Sequence, residues 1–122
     1  NSLNAVRISN SSNFLTGPTN VYFYSQNSSV TAWVKLYNCG HNSRLIDFSN
    51  GVNTDNVMIY FAPTNCRLGS VVHNDLNFNI ILSTFDLALN RWHHISAVYT
   101  GINLKLYVNG SLIREDNGRA II

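Results

Sequence analysis

The sequence predicts an all-β fold, an antiparallel sandwich of two sheets, and three observations indicate it. Apolar residues recur at every second position in many short segments, which is the period of a strand with one buried face. The dipeptide Asn109-Gly110 lies between two such segments, and this pair is the strongest short signal of a hairpin turn. No stretch shows the period of an amphipathic helix. Short strands without helices are typical of sandwiches and barrels.

The first third of the chain contains predicted strands separated by a polar loop. Residues 3–9 form the first strand, and we expect Phe14 and Leu15, in the loop that follows, to anchor the chain to the core. Residues 21–24 are aromatic and β-branched, which favours an edge strand over a helix. Residues 30–37 alternate cleanly. One face of this strand holds Val30, Ala32, Val34 and Leu36, and the other holds Thr31, Trp33, Lys35 and Tyr37.

A hairpin is predicted between Cys39 and Cys66. A register that pairs Ile46 with Ile59 gathers the apolar residues of both strands on one face, as burial requires. The same register pairs Phe48 with Val57 and Arg44 with Phe61. It also carries Cys39 opposite Cys66, where a disulfide is geometrically feasible. The alternative is a pair of unpaired, partly buried thiols.

Two further groups of strands complete the prediction. Residues 68–73 and 76–84 pair about Asn74-Asp75, with Phe78, Ile80 and Leu82 alternating with Asn77, Asn79 and Ile81. Residues 91–113 form a three-stranded meander. Folding about its loop pairs Tyr99 with Leu104, Ala97 with Leu106 and Ile95 with Val108. The Asn109-Gly110 turn requires positive φ at both residues and sets Leu106 opposite Ile113. Residues 120–122 begin another predicted strand.

Composition narrows the classes of function. The 122 residues suffice for a single domain with a two-layer core. Hydrophobic residues make up 45% and charged residues only 11%, so Asn, Ser and Thr must cover much of the surface, which favours an extracellular or cell-surface location. The net charge of +2, without a basic run, does not indicate a nucleic-acid partner. No apolar segment approaches the roughly twenty residues of a membrane span, so we expect no membrane insertion.

Asn-x-Ser triplets occur at Asn10, Asn27 and Asn109. Asn10 and Asn27 lie in polar, loop-like stretches, so we predict them as glycosylation sites. Asn109 occupies a tight turn, so we interpret it as a structural residue without a glycan.

Two motifs resemble a known family. The run WHHI at residues 92–95, followed by LYVNG at residues 106–110, resembles the signature of laminin-G-like domains in the concanavalin A-like lectin/glucanase superfamily. Residues 30–35 and 44–61 resemble the strand and hairpin that precede it. The resemblance implies a jelly-roll sandwich that acts as a non-catalytic extracellular recognition or adhesion module, with a glycan or an extracellular protein as its partner.

The sequence stops where domains of this family continue with strands that complete both sheets. Two explanations stay open, and we favour the first. Residues 1–122 belong to a longer chain, or a strand from another subunit fills the open edge. The second explanation gives an alternative function, a structural subunit of a surface fibre that self-associates through open sheet edges.

The carboxylates do not favour catalysis. Hydrolases of this superfamily use two carboxylates close together. Here the only Glu is Glu115, beside Asp116, while Asp47, Asp55, Asp75 and Asp86 are widely separated. His93 and His94 are neighbours on a strand and point to opposite faces, so they cannot chelate one ion together. We therefore predict no enzymatic activity and no cofactor except calcium.

The resemblance implies calcium as a candidate, because several laminin-G-like domains hold one at the rim. Asp55 is the best candidate ligand, with Asp75 and Asp86 behind it. Calcium prefers several oxygen ligands, and the sequence supplies only one carboxylate at a time.

Trp33 and Trp92 are most simply core or sheet-face aromatics. A functional alternative uses the strand face that carries Trp33, Lys35 and Tyr37 as a ligand-binding surface. If the hairpin lies beside this strand, Tyr60 joins the surface together with Leu45, Asp47 and Met58. Such a mixed aromatic and polar surface can stack on sugar rings or seat a protein loop. The rival location is the rim of loops.

Overall fold

The computed structural model describes residues 4–9, 14–17, 27–39, 43–48, 56–74, 77–100 and 103–116. These described residues contain eight strands and no helix, so none of them provides a helix that could span a membrane. The strands are β1 (Ser28–Lys35), β2 (Arg44–Phe48), β3 (Asn56–Phe61), β4 (Arg67–Asn74), β5 (Asn77–Asp86), β6 (Trp92–Tyr99), β7 (Leu104–Val108) and β8 (Ser111–Asp116). All pairings among them are antiparallel, which confirms the predicted all-β fold.

The described strands form two four-stranded sheets. The front sheet has the order β1-β6-β7-β8, and the back sheet has the order β2-β3-β4-β5. The chain therefore passes from the front to the back sheet after β1 and returns before β6. As a consequence, β1 and the β2–β3 hairpin are consecutive in sequence but belong to different sheets.

The predicted hairpin register is correct at its centre. Ile46 pairs with Ile59, and Phe48 pairs with Val57. The predicted pairing of Arg44 with Phe61 is wrong, because a register shift between Arg44 and Ile46 moves Arg44 opposite Tyr60. A bulge of this kind adds one residue to one strand, and sequence spacing does not reveal it.

The predicted register of the meander is also correct in one part and wrong in another. The pairs that join β6 to β7 occur as predicted, namely Tyr99–Leu104, Ala97–Leu106 and Ile95–Val108. Asn109 and Gly110 have φ values of 50° and 82°, as the predicted turn requires. The pairing of Leu106 with Ile113 is wrong, because a shift between Leu106 and Tyr107 places Arg114 there instead.

The core lies between the inner faces of the two sheets. Its largest fully buried side chains are Tyr99, Ile59, Leu68, Ile95, Leu104 and Leu106. The hydroxyl groups of Tyr99 on β6 and Ser70 on β4 are 2.9 Å apart, so a buried hydrogen bond joins the sheets. The Ser70 hydroxyl also lies 3.2 Å from the Met58 carbonyl, to which it donates. The two hydroxyl groups are thus satisfied inside the core.

The disulfide between Cys39 and Cys66 is confirmed, with Cα atoms 5.2 Å apart. Cys39 follows β1 of the front sheet and Cys66 precedes β4 of the back sheet. The bond therefore links the two layers at one end of the sandwich.

Two predictions for the N-terminal segment are wrong. Residues 4–9 do not form a strand, and Val6 and Ile8 are 67% and 56% exposed. Phe14 and Leu15 do not anchor the core, because they are also exposed. A strand requires a neighbour for its backbone groups, and none of the described strands pairs with residues 4–9. The strands predicted at 21–24 and 120–122 lie outside the described residues.

Candidate functional site: an aromatic surface on the front sheet

The outer face of the front sheet carries aromatic side chains at one end. On β6, alternate residues from His93 to Tyr99 are buried, so Trp92 and His94 point outward. Trp33 of β1 pairs with His94, and Lys35 pairs with Trp92. Paired residues of neighbouring strands share a face. Trp33, Lys35, Trp92 and His94 therefore lie on one surface.

Three of the large side chains at this end are exposed. Trp33 is 66% exposed, Tyr37 is 53% exposed and Trp92 is 44% exposed. The Trp33 and His94 rings have centroids 5.1 Å apart and planes tilted by 60°, an edge-to-face type of contact. We call Trp33, Tyr37, Trp92 and His94 the aromatic platform. A contiguous exposed patch of large apolar side chains marks an interaction site more often than scattered ones do.

Two cations lie beside the Tyr37 ring. The guanidinium carbon of Arg7 is 4.9 Å from the ring centroid, and the Lys35 ammonium nitrogen is 5.6 Å from it. Both distances fall within the range in which a cation is attracted to the face of an aromatic ring. The Tyr37 end of the platform is therefore aromatic and positively charged.

Asn109 fixes the backbone under His94. The Asn109 backbone N–H donates to the His94 carbonyl at 2.8 Å, and the Asn109 Oδ1 accepts from the His94 N–H at 2.9 Å. Asn109 has a positive φ, which asparagine tolerates better than most residues. The side chain at this sequon is thus engaged within the fold, in agreement with its predicted structural role.

The turn before β6 is attached to the end of β1. The Asn90 N–H donates to the Leu36 carbonyl at 2.8 Å. Below it, Nε2 of the buried His93 lies 2.8 Å from the Ala88 carbonyl, to which it donates. His93 therefore points into the core while His94 points outward. This arrangement confirms the prediction that the two neighbouring side chains face opposite sides of the sheet.

The disulfide lies two residues beyond Tyr37. Next to it, the Leu87 N–H donates to the Cys66 carbonyl at 3.0 Å, and Leu87 is buried. The disulfide ties the Tyr37 end of the platform to the back sheet, and the Leu87 hydrogen bond holds Cys66 in place there. A stacking surface gains from such support, because an ordered side chain loses less freedom on binding.

Tyr60 does not join the platform. It lies on the outer face of the back sheet, on the same strand as Met58, whose register partner is Asp47. The expected mixed surface is therefore divided between two sheets. The Tyr60 ring covers Gly69, where an added Cβ would lie 2.6 Å from the ring. Burial raises the pKa of Tyr60, as expected for a phenol lying against the sheet.

The remaining candidate residues are dispersed. Asp55 and Asn10 lie outside the described residues, and Asn27 is exposed just before β1. The described residues contain no group of three or more His, Cys, Asp or Glu side chains that could hold a metal ion. Glu115 forms an ion pair with Lys105 at 3.2 Å, at the opposite end of the front sheet from Trp33.

The comparison with family models matches this architecture. A laminin-G model, described as the concanavalin A-like lectin/glucanases superfamily, matches residues 9–120. The chain belongs to this family. The laminin-G motifs lie at the structural positions expected of them, with WHHI opening β6 and the Asn109-Gly110 turn following β7. No curated protein matches this laminin-G-like chain.

Solved structures extend the comparison. A native heptameric SAP-like pentraxin from Limulus polyphemus shares 18% identity and a TM-score of 0.55, over 76% of this chain and 44% of the pentraxin chain. An S-layer domain-containing protein from Clostridium thermocellum (residues 221–444) shares 23% identity and a TM-score of 0.35, over 73% of this chain and 42% of its own. The pentraxin similarity supports the fold. The matched region spans less than half of either solved chain.

Proposed function

We propose that this laminin-G-like chain is a non-catalytic extracellular recognition module that binds glycan chains through the aromatic platform. The observation that carries the proposal is the exposure of Trp33, Tyr37 and Trp92 on one end of one sheet face. Burying such side chains elsewhere in the protein would be favourable, so their exposure has a cost that ligand binding can offset.

The geometry of the platform fits a sugar better than a small apolar ligand. Aromatic rings offer rigid faces on which the C–H face of a sugar ring can stack, while indole N–H and phenol groups donate hydrogen bonds. Lys35 and His94, between the rings, supply polar contacts for hydroxyl groups. The platform is part of a sheet face rather than a cavity, so we infer that it takes an extended chain instead of a single enclosed sugar.

An extracellular location is supported by the disulfide and by the composition. Disulfides persist in oxidising compartments, and Cys39 and Cys66 are joined across the sandwich. A binding role without catalysis is supported by the described carboxylates. Glu115 and Asp47 are held in ion pairs with Lys105 and Arg44, and they belong to different sheets.

A glycan array tests the proposal. We expect specific binding by the wild-type chain and a loss of about tenfold or more for Trp33→Ala, because truncating an aromatic anchor commonly costs about 2 kcal/mol. Phe85→Ala is the matched control, since Phe85 is an exposed aromatic side chain on β5 of the back sheet. Glycan binding that persists in Trp33→Ala, or that is lost equally in Phe85→Ala, would contradict the assignment of the platform.

Two further measurements separate the remaining alternatives. Binding with calcium and with EDTA tests the predicted role of Asp55, since a calcium site there would make binding depend on the ion. Sedimentation at high concentration tests the alternative of a self-associating structural subunit. Concentration-dependent assembly without glycan binding would favour that alternative over recognition.

A further inference from the structure

The Tyr37 end of the platform differs chemically from the Trp33 end. Arg7 and Lys35 both lie within 6 Å of the Tyr37 ring centroid, at 4.9 Å and 5.6 Å. Trp33 instead has the His94 ring as its neighbour. The ion pairs found among the described residues, Arg44–Asp47 and Lys105–Glu115, involve neither cation at the Tyr37 ring.

Both positive charges lie within 6 Å of the same ring centroid, so a bound anion beside the Tyr37 ring would be attracted to both. The ring also orders both cations before a ligand arrives, because its face attracts them. An arginine guanidinium matches the two oxygens of a carboxylate or sulfate in a bidentate arrangement, while a lysine acts as a compact charge. Arg7 and Tyr37 are exposed, so a ligand can reach them.

We infer that Arg7 and Lys35 form an anion subsite beside the Tyr37 ring, which binds a carboxylate or a sulfate ester carried by the glycan chain. The subsite deepens the proposed function and rests on it, since the chain must first stack on the platform. Its place next to Trp92, the register partner of Lys35, puts the charged group of the ligand at one end of the stacked sugars.

The experiment compares matched charged and neutral glycans on the same array. Suitable pairs are dextran sulfate with dextran, for the sulfate ester, and polygalacturonate with its carboxyl-reduced form, for the carboxylate. The test variant is Arg7→Gln/Lys35→Gln. The control is Arg44→Gln/Arg114→Gln, which lowers the net charge equally at exposed positions on other strands.

We expect the wild-type chain to bind a charged member more tightly than its neutral partner by about tenfold, as two partly exposed charge contacts allow. The preference should disappear in Arg7→Gln/Lys35→Gln, persist in the control and weaken at high salt. A preference within the dextran pair would identify a sulfate ester as the anion, and a preference within the polygalacturonate pair would identify a carboxylate. Trp33→Ala should weaken binding of charged and neutral members alike.

Equal binding of charged and neutral members, absence of binding to either acidic polymer, or a preference that survives Arg7→Gln/Lys35→Gln would overturn the subsite. If the charged and neutral members bind equally, or if the preference survives in the variant, the proposed function would still stand provided that Trp33→Ala weakens binding by about tenfold or more. A failure of every glycan to bind would overturn both.

Discussion

Tyr60 on the outer face of the back sheet and Trp33 and Trp92 on the outer face of the front sheet differ in how far they are buried. On the back sheet, Tyr60 lies over Gly69 and is partly buried, and Val71 beside it is only 4% exposed although it also faces outward. On the front sheet, Trp33 is 66% exposed and Trp92 is 44% exposed. The two central strands of the back sheet therefore cover their outer aromatic side chain, whereas one end of the front sheet leaves Trp33 and Trp92 in water.

The register partner of each aromatic residue accounts for the difference. Tyr60 is opposite Gly69, whose missing side chain leaves room for the ring to lie flat on the strand. Trp33 is opposite His94, whose own ring occupies that space. An aromatic side chain that cannot pack flat against the sheet buries little apolar area and adds little to stability. Tyr60 is therefore placed where it adds to the stability of the fold, whereas Trp33 is placed where it adds little.

The largest effect we expect comes from breaking the bond that joins the two layers beside the platform. Cys39→Ser/Cys66→Ser should lower the free energy of unfolding by about 3 kcal/mol, because the disulfide closes a loop with a sequence separation of 27. Urea unfolding monitored by tryptophan fluorescence measures the loss. Wild-type protein in reductant should show a similar decrease, and a loss below about 1 kcal/mol would mean that the core alone holds the layers together.

The next effect concerns the hydrogen bond between the sheets. Burial raises the pKa of Tyr99 to about 12, and the hydrogen bond with Ser70 opposes part of the increase. An unfolded tyrosine ionises near pH 10, so the unfolded state loses its proton first as pH rises. The resulting contribution to stability is complete below pH 10 and is lost towards pH 12, by about 2 to 3 kcal/mol.

Unfolding of wild-type protein and Tyr99→Phe across pH 9 to 12 measures this contribution. The variant should be less stable by about 1 kcal/mol at neutral pH, from the lost hydrogen bond, yet should show a shallower decline in alkali. Tyr60, whose pKa is also raised by burial, is present in both proteins and contributes equally. Parallel pH profiles for the two proteins would contradict the buried, neutral state of Tyr99.

Alternation was enough to predict most of the strands, because burial of one face enforces it. The pairs Ile46–Ile59 and Ala97–Leu106 followed directly, since a slip of one residue would expose every apolar side chain. Bulges changed the partner of Arg44 at the start of β2 and the partner of Leu106 on β8, a strand with no fully buried side chain to fix its register. Alternation failed for residues 4–9, since a periodic segment still needs a neighbouring strand.

Alternation along a strand does not show which strands are neighbours in one sheet. The composition of the candidate site depended on that arrangement. The sequence brought Trp33, Lys35 and Tyr37 to one face but could not show that β6, rather than β3, lies beside them. Trp92 and His94 were therefore missing from the predicted surface, and Tyr60 was placed there wrongly. The cation at Arg7 had no signal in the sequence, since it reaches Tyr37 from a segment without regular structure.

The smallest expected effect gives the sharpest comparison of the two faces. Trp33→Ala should change the free energy of unfolding by less than about 0.5 kcal/mol, because an exposed side chain buries little area in the folded state. Tyr60→Ala should cost about 1 to 2 kcal/mol, because it uncovers Gly69 and removes a partly buried ring. Urea unfolding of both variants, followed by circular dichroism so that the signal does not depend on Trp33, measures the difference. Equal losses would mean that the front face also serves stability, and the inference that exposure of Trp33 reflects ligand binding would then lose its physical basis.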